Sequence, residues 1–168
     1  MTELPKRKHT RLKDYDDSLP GYYFVTICLG DETLRLSQVG RGLAPAEAVV
    51  KLTPAGQIME QQLFELEKRY GFLKIDKHVI MPDHIHVIFR FDGDSAGASP
   101  RPTLPDVVCA YKSLATRACN REDATPGRKL FQASFYEHVI RNEAGYLQCW
   151  NYISGNPEKW LEGYREEL

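Results

Sequence analysis

A chain of 168 residues, 42% of them hydrophobic and 27% charged, is long enough to bury the core of one domain. Its formal net charge of -1 excludes a globally basic protein, so a nucleic-acid partner would have to be held by a local patch. No apolar run approaches the ~20 residues of a transmembrane helix, and the charged N-terminus does not resemble a signal peptide. We therefore expect a cytoplasmic protein with no membrane partner.

The N-terminal segment, residues 1–19, is polar and basic and shows no periodicity, so we predict that it is partly disordered. Its Lys6, Arg7 and Lys8 are candidates for contacting DNA phosphates, although a solvated tail explains the same charges equally well. Residues 20–168 are predicted to form a single domain.

Strands and a loop are predicted in the first part of that domain. Aromatic and β-branched residues at 22–29 predict a buried strand, residues 33–39 a weaker strand, and residues 40–45 a loop. A helix is predicted to follow Thr53, which can cap it with Pro54 at the first helical position.

A strand pair and two more helices complete the predicted domain. Residues 73–81 and 84–91 predict two strands joined by a tight turn. A connector then leads to a helix capped by Thr103, and residues 130–140 predict a further strand at a sheet edge. A last helix is predicted from Glu143 until Pro157 breaks it. This order predicts an α+β fold of the ferredoxin-like (RRM-like) split βαβ type: an antiparallel sheet with helices on one face, plus a C-terminal helix.

Two histidines alternate on the strand predicted at 84–91. Side chains of a strand point to opposite faces in turn, so His84 and His86 share one face while Ile85 and Val87 face the core. Two imidazoles side by side on a rigid element can supply part of a metal site, and the alternative is two histidines whose hydrogen bonds are simply satisfied within the fold.

A tyrosine and an asparagine lie four residues apart in the last predicted helix. Tyr152 and Asn156 therefore project from one helical face, which could approach the histidines. An amide oxygen beside two imidazole nitrogens suits Mg²⁺ or Mn²⁺ better than zinc. Taken alone, a core tyrosine and an asparagine that ends the helix before Pro157 are the better explanation of these residues.

Three motifs together resemble the single-tyrosine HUH transposases, most of all the REP-associated tyrosine transposases of bacteria. HUH stands for His, bulky hydrophobic, His, and it is matched by His84-Ile85-His86 within VIMPDHIHVIF. FYEHVIRN at 135–142 and YISGNP at 152–157 are similar to the family's later blocks, whereas Phe131 stands where the family often has Trp.

The resemblance implies a ferredoxin-like nuclease that acts on single-stranded hairpin DNA through a 5′-phosphotyrosine intermediate and then transfers the strand. It implies Tyr152 as nucleophile, and Mg²⁺ or Mn²⁺ held by His84, His86 and Asn156. Glu137 and His138 would support the site.

Several alternatives remain open at this stage. By chemistry alone Tyr136 and Tyr146 are rival nucleophiles, although neither has an asparagine four residues later. Further phosphate contacts are predicted at basic residues of the folded domain: Lys112, Arg117 and Arg141. The protein could be a monomer or a homodimer. A domesticated domain that binds hairpin DNA without transposition is the alternative function.

Overall fold

A computed structural model describes residues 15–44, 47–93 and 100–163. Lys6, Arg7 and Lys8, and most of the predicted basic segment, lie outside the described residues. Within the described ranges, no helix is both long and apolar enough to cross a membrane. The elements in chain order are β1 Gly21–Cys28, β2 Ser37–Arg41, β3 Ala48–Leu52, α1 Pro54–Arg69, β4 Leu73–Ile80, β5 His84–Phe91, α2 Leu104–Glu122, β6 Tyr136–Ile140 and α3 Glu143–Leu161.

Four of the strands form one antiparallel sheet in the order β4-β5-β1-β6. The two strands at its centre, β1 and β5, pair along their whole length, and β4 and β6 are its edges. Helix α1 connects β3 to β4, and α2 connects β5 to β6. This arrangement confirms the predicted ferredoxin-like plan, including the edge position of the last strand.

The main core lies between one face of this sheet and the helices α1 and α2. Alternate residues of the central strands are fully buried there because the period of a strand places them on one face. They pack with the apolar stripes of the two helices, where the Tyr111 hydroxyl also donates to the Met59 carbonyl at 3.1 Å. The strand residues of this core include Val25, Ile27, Ile85, Val87 and Phe89.

The opposite sheet face packs against α3. Ile88 and Ile140 from the sheet and Ile153 from the helix form a second, smaller cluster. The sheet is therefore covered on both sides over part of its area, and α3 lies against the face that carries the even-numbered residues of β5.

The prediction for residues 33–45 was wrong in detail. Strands β2 and β3 form a separate two-stranded sheet, in which β2 continues to Arg41 and the predicted loop therefore begins later. Strand β3 was missed although four of its five residues are apolar, because it is short and ends directly before the helix cap Thr53. The Arg41 guanidinium donates to the Glu158 carboxylate, which ties this hairpin to α3.

Strand β6 is shorter than the predicted strand at 130–140. It begins at Tyr136 because the preceding residues bond to other partners. The Leu130 carbonyl accepts from the Gly30 amide at 2.8 Å, and Lys112 Nζ donates to the carbonyls of Gln132 and Ser134, each at 2.8 Å.

The prediction that the last helix breaks at Pro157 was wrong. Pro157 lies buried inside the helix, which continues to Leu161, and the amide of Glu162 still donates to the Glu158 carbonyl at 3.1 Å. Proline lacks one backbone hydrogen-bond donor, which weakens the helix at this point. The packing of Ile153 against Ile88 and Ile140 of the sheet offsets this loss, and the helix continues. The additional turn places Lys159 and Trp160 on α3.

Gly56 allows the first turn of α1 to touch the chain before β2. A Cβ atom at this position would lie 1.9 Å from the Leu36 carbonyl oxygen. We expect Gly56→Ala to lower the free energy of unfolding by about 2–3 kcal/mol, because the helix start would have to move. Urea denaturation measures this loss. Gly40→Ala is the matched control, since its Cβ would meet nothing within 4 Å. Equal midpoints for the two variants would show that the contact is not tight.

Candidate active site

Both histidines of the His-Ile-His motif lie on the face of β5 that meets α3. His86 is fully buried and His84 is 5% exposed. Their ring centres are 4.6 Å apart. In the register of the sheet, Thr26 of β1 lies opposite His86. The structure therefore confirms that the two histidines lie on one face of β5 and the core residues of this strand on the other.

The Nδ1 atom of each histidine has a hydrogen-bonding partner. His84 Nδ1 donates to Asp83 Oδ1 at 2.7 Å, and His86 Nδ1 lies 2.8 Å from Thr26 Oγ1. The hydrogen bond with His84 lowers the pKa of the Asp83 carboxyl from its ordinary value. These partners hold the rings and leave both Nε2 atoms on the other side, which is how proteins commonly orient histidine ligands.

The buried His86 imidazole stays neutral over a wide pH range. Burial, and then the neighbouring His84, lower its pKa to about 3. A neutral imidazole keeps a lone pair on one nitrogen, and this is the form that binds metals.

The free energy of unfolding should therefore depend on pH, because the pKa of His86 differs between the folded and the unfolded chain. Between pH 6.5 and 3 the unfolded chain binds a proton at this residue and the folded chain does not, so stability falls as the pH falls. The slope from one such group approaches about 1.4 kcal/mol per pH unit. Metal-free urea denaturation at several pH values should give a flatter profile for His86→Gln than for the wild type, and parallel profiles would contradict this account.

Tyr152 of α3 lies beside the histidines of its own chain. Its ring meets that of His86 at an interplanar angle of 71°, with the centres 5.2 Å apart. The Phe24 ring of β1 packs beside both of them, with its centre 5.5 Å from that of His86 and 5.7 Å from that of Tyr152. One chain therefore brings the tyrosine and the histidine pair together.

Asn156 lies one helical turn after Tyr152 and is 5% exposed. Its Nδ2 lies 3.4 Å from His86 Nε2. If the Asn156 Nδ2 atom donates to His86 Nε2, that ring nitrogen carries the lone pair and His86 Nδ1 carries the proton. Rotating the amide group by 180° would instead place Asn156 Oδ1 next to His86 Nε2. The spacing of four residues thus places both side chains against the same histidine.

These side chains suit a divalent cation. His84 Nε2 is buried and has no hydrogen-bonding partner among the described residues. Beside it lie a neutral His86 nitrogen and the amide of Asn156, which are the neutral nitrogen and hard oxygen donors of a mixed site. Within the described ranges, no three His, Cys, Asp or Glu side chains form a ligand cluster. Asn156 is the candidate third ligand beside the two histidines, as the sequence predicted.

The two residues predicted to support the site lie on opposite faces. His138 of β6 pairs with Phe24, so it lies on the same sheet face as the two histidines, but it is exposed and β1 separates its strand from β5. Glu137 pairs with Val25, a residue of the main core, and points to the other face. The structure therefore does not bring Glu137 to the site, because neighbouring residues of a strand alternate.

The rival tyrosines occupy different positions. The Tyr146 hydroxyl donates to the Asp76 carboxylate, and burial followed by this bond raises its pKa to about 12. Tyr136 pairs with Thr26 and faces the same side as His86. It is two strands away from His86, a separation of about 10 Å between backbones. In the part of the chain that the structure describes, Tyr152 is the tyrosine whose ring contacts a histidine of the motif.

The basic residues predicted to contact DNA are dispersed. Lys112 is occupied by the carbonyls of residues 132 and 134, and burial lowers the pKa of its ammonium. Arg117 on α2 and Arg141 after β6 are exposed. Sequence reasoning missed Lys159, whose Nζ lies 5.0 Å from the centre of the Tyr152 ring.

Three other contributors to the site were also missed: Phe24, Thr26 and Asp83. The position of Asp83 directly before the first histidine was a signal for it. The period of β1 was a signal for Phe24 and Thr26, but only the strand register shows which histidine each one meets.

Comparison with known proteins identifies the fold. The chain matches a solved REP-associated tyrosine transposase bound to a REP hairpin, with a TM-score of 0.62 and 22% identity, over 89% of this chain and 73% of that one. A candidate transposase from Deinococcus radiodurans R1 matches with a TM-score of 0.51 and 17% identity, over 85% of this chain and 94% of that one. The chain thus has the fold of these proteins, in agreement with the motifs of its sequence.

One sequence relative extends over nearly the whole chain. An uncharacterised protein of Haemophilus influenzae is 26% identical over 169 residues, which is 92% of this chain and 89% of the relative. No protein-family model matches the chain.

Proposed function

We propose that this protein is a transposase of the REP-associated tyrosine type, a metal-dependent endonuclease and strand transferase of single-stranded hairpin DNA. The observation that carries the proposal is the contact of Tyr152 with His86, next to His84 and Asn156, on a transposase fold. A nucleophile and a candidate ligand set on one chain are the parts that phosphodiester cleavage requires.

The candidate metal ligands are His84, His86 and Asn156, which would hold Mg²⁺ or Mn²⁺ through two imidazole nitrogens and an amide oxygen. When bound, such an ion draws negative charge from a non-bridging phosphate oxygen and orients the phosphate. Asp83 and Thr26 hold the two rings in place, so the ligands need little rearrangement.

Tyr152 would carry out the exchange of bonds. Its hydroxyl oxygen attacks the phosphorus, a bond forms between them, and the bond from phosphorus to the 3′ oxygen breaks. The phenol gives up its proton and the departing 3′ oxygen gains one. The products are a 5′-phosphotyrosine and a free 3′-hydroxyl, and attack by another strand's 3′-hydroxyl reverses the exchange and joins DNA without ATP.

A folded single strand is the proposed substrate. The solved protein of the same fold is bound to a REP hairpin, which supports a hairpin as the ligand here. Arg117 and Arg141 are exposed cations that could contact its phosphates. Because Tyr152 meets the histidines of its own chain, one subunit would hold a complete site, whether the protein is a monomer or a homodimer.

The test is covalent adduct formation. Wild-type protein is incubated with end-labelled DNA hairpins from its own genome, with Mg²⁺, with Mn²⁺ or with a chelator, and resolved on a denaturing gel. We expect a labelled protein–DNA adduct that requires the metal. Specific, tight binding of a hairpin without any adduct would contradict the nuclease and favour the alternative, a domesticated binding module.

A further inference from the structure

Two residues on the same side of α3 as Tyr152 are not used by the proposed mechanism. Gly155 and Lys159 follow Tyr152 by three and seven residues, and these spacings align positions along one ridge of a helix. Lys159 is exposed, and its Nζ lies 5.0 Å from the centre of the Tyr152 ring. The nucleophile therefore has a cation beside it as well as a candidate metal site.

The glycine between them leaves a notch on this ridge. Apart from its two chain neighbours and the surrounding helix backbone, a Cβ at Gly155 would meet no described atom within 4 Å, and Gly155 lies inside α3 without a positive φ. Glycine is among the least favourable residues inside a helix, so neither the backbone nor the packing accounts for it here. Helical side chains lean towards the N-terminus, and the missing side chain leaves Lys159 a clear path to Tyr152.

We propose that Gly155 and Lys159 form a seat for the DNA phosphate that Tyr152 attacks, an inference that rests on the proposed function. The notch at Gly155 lets the sugar–phosphate backbone come close to the helix. Lys159 supplies an exposed positive charge for a non-bridging oxygen. Both act by positioning the phosphate, and the bond exchange itself stays with Tyr152.

If Gly155 and Lys159 position the phosphate, their substitution should change DNA binding and adduct rate without lowering thermal stability. Alanine is a better helix former than glycine, so Gly155→Ala should leave the thermal unfolding midpoint unchanged or raise it. The added methyl should nevertheless slow adduct formation by about tenfold or more, since a small displacement of the phosphate is costly. Lys159→Ala should weaken DNA binding, and Lys159→Arg should restore most of it because the charge is kept.

The experiment measures binding without metal and reaction with metal on the same variants. A fluorescein-labelled DNA hairpin with a short single-stranded flank is titrated in chelator at several salt concentrations, and adduct rates are then measured with Mn²⁺. For Lys159→Ala we expect the slope of log affinity against log salt to fall by about 0.7–1, the value for one lost phosphate contact. For Gly155→Ala we expect weaker binding with an unchanged slope.

Matched controls separate the seat from general effects. Ser154→Ala changes an exposed neighbour on another side of α3, and Lys68→Ala removes an exposed lysine from α1. Neither should alter binding or rate. If Gly155→Ala and Lys159→Ala both bind the hairpin and form the adduct as the wild type does, the seat is overturned and the proposed function stands. The same conclusion follows if Gly155→Ala loses binding and rate only because its thermal unfolding midpoint is lower.

The two proposals can also fail separately in the other direction. Wild-type protein that forms no adduct, while both substitutions still weaken metal-free binding, would contradict the nuclease and keep the seat as a DNA contact. Wild-type protein that neither binds nor reacts with the hairpin would overturn both.

Discussion

Replacing Tyr152 by phenylalanine should reduce covalent adduct formation by at least ~10³-fold, because removal of a nucleophile leaves only the contribution of substrate binding and positioning. The substitution deletes one oxygen atom and keeps the ring that packs against Phe24 and His86. Hairpin affinity and thermal unfolding should therefore remain close to those of the wild type. Adduct rates on a denaturing gel, together with metal-free binding, measure both effects.

The rival tyrosines provide the controls for this prediction. Tyr136→Phe and Tyr146→Phe should retain the adduct, since neither hydroxyl contacts a histidine of the motif. Tyr146→Phe also removes the hydrogen bond to Asp76, so a modest loss of stability is expected without a loss of reaction. An adduct that survives in Tyr152→Phe and disappears in Tyr136→Phe would move the nucleophile to the edge strand.

Removing a candidate metal ligand should have the second largest effect. We expect His84→Ala and His86→Ala each to weaken Mn²⁺ binding by more than about 100-fold, and Asp83→Ala by about 10–100-fold because it only orients His84. Isothermal titration of Mn²⁺ into the DNA-free protein measures this order. Adduct rates at saturating hairpin should fall in the same order.

Two substitutions at Asn156 distinguish a role as metal ligand from a role in packing. Asn156→Asp keeps the size and an oxygen donor and should retain Mn²⁺ binding, whereas Asn156→Leu keeps the size without a donor and should weaken it. His138→Ala is the control, because His138 is an exposed histidine on β6. Equal Mn²⁺ affinity in the wild type and both single histidine variants would contradict the proposed ligand set.

The histidine face could be predicted from the sequence because a strand has a period of two. His84 and His86 had to share one face once Ile85 and Val87 were assigned to the core, and pairing with β1 did not change this. The helix start at Thr53 was equally local, since its side chain accepts from the Gly56 amide at 3.1 Å. Predictions of this kind depend only on neighbouring residues.

Other features depend on contacts between distant residues. The start of β6 depends on how Leu130 meets Gly30, and the course of α3 past Pro157 depends on packing against the sheet. Whether Tyr152 reaches its own histidines depends on which surface α3 covers. The register that directs Glu137 away from the site is likewise set by β1. No local pattern in the sequence contains this information.

The most direct test of the central claim is to identify the amino acid that carries the DNA. Wild-type protein is incubated with the hairpin and Mn²⁺, the adduct is digested with nuclease and protease, and the modified peptide is sequenced by tandem mass spectrometry. The account predicts a nucleotide attached through a 5′ phosphate to Tyr152. A phosphate on Tyr136 or Tyr146, or a cleaved hairpin with no modified peptide, would contradict it.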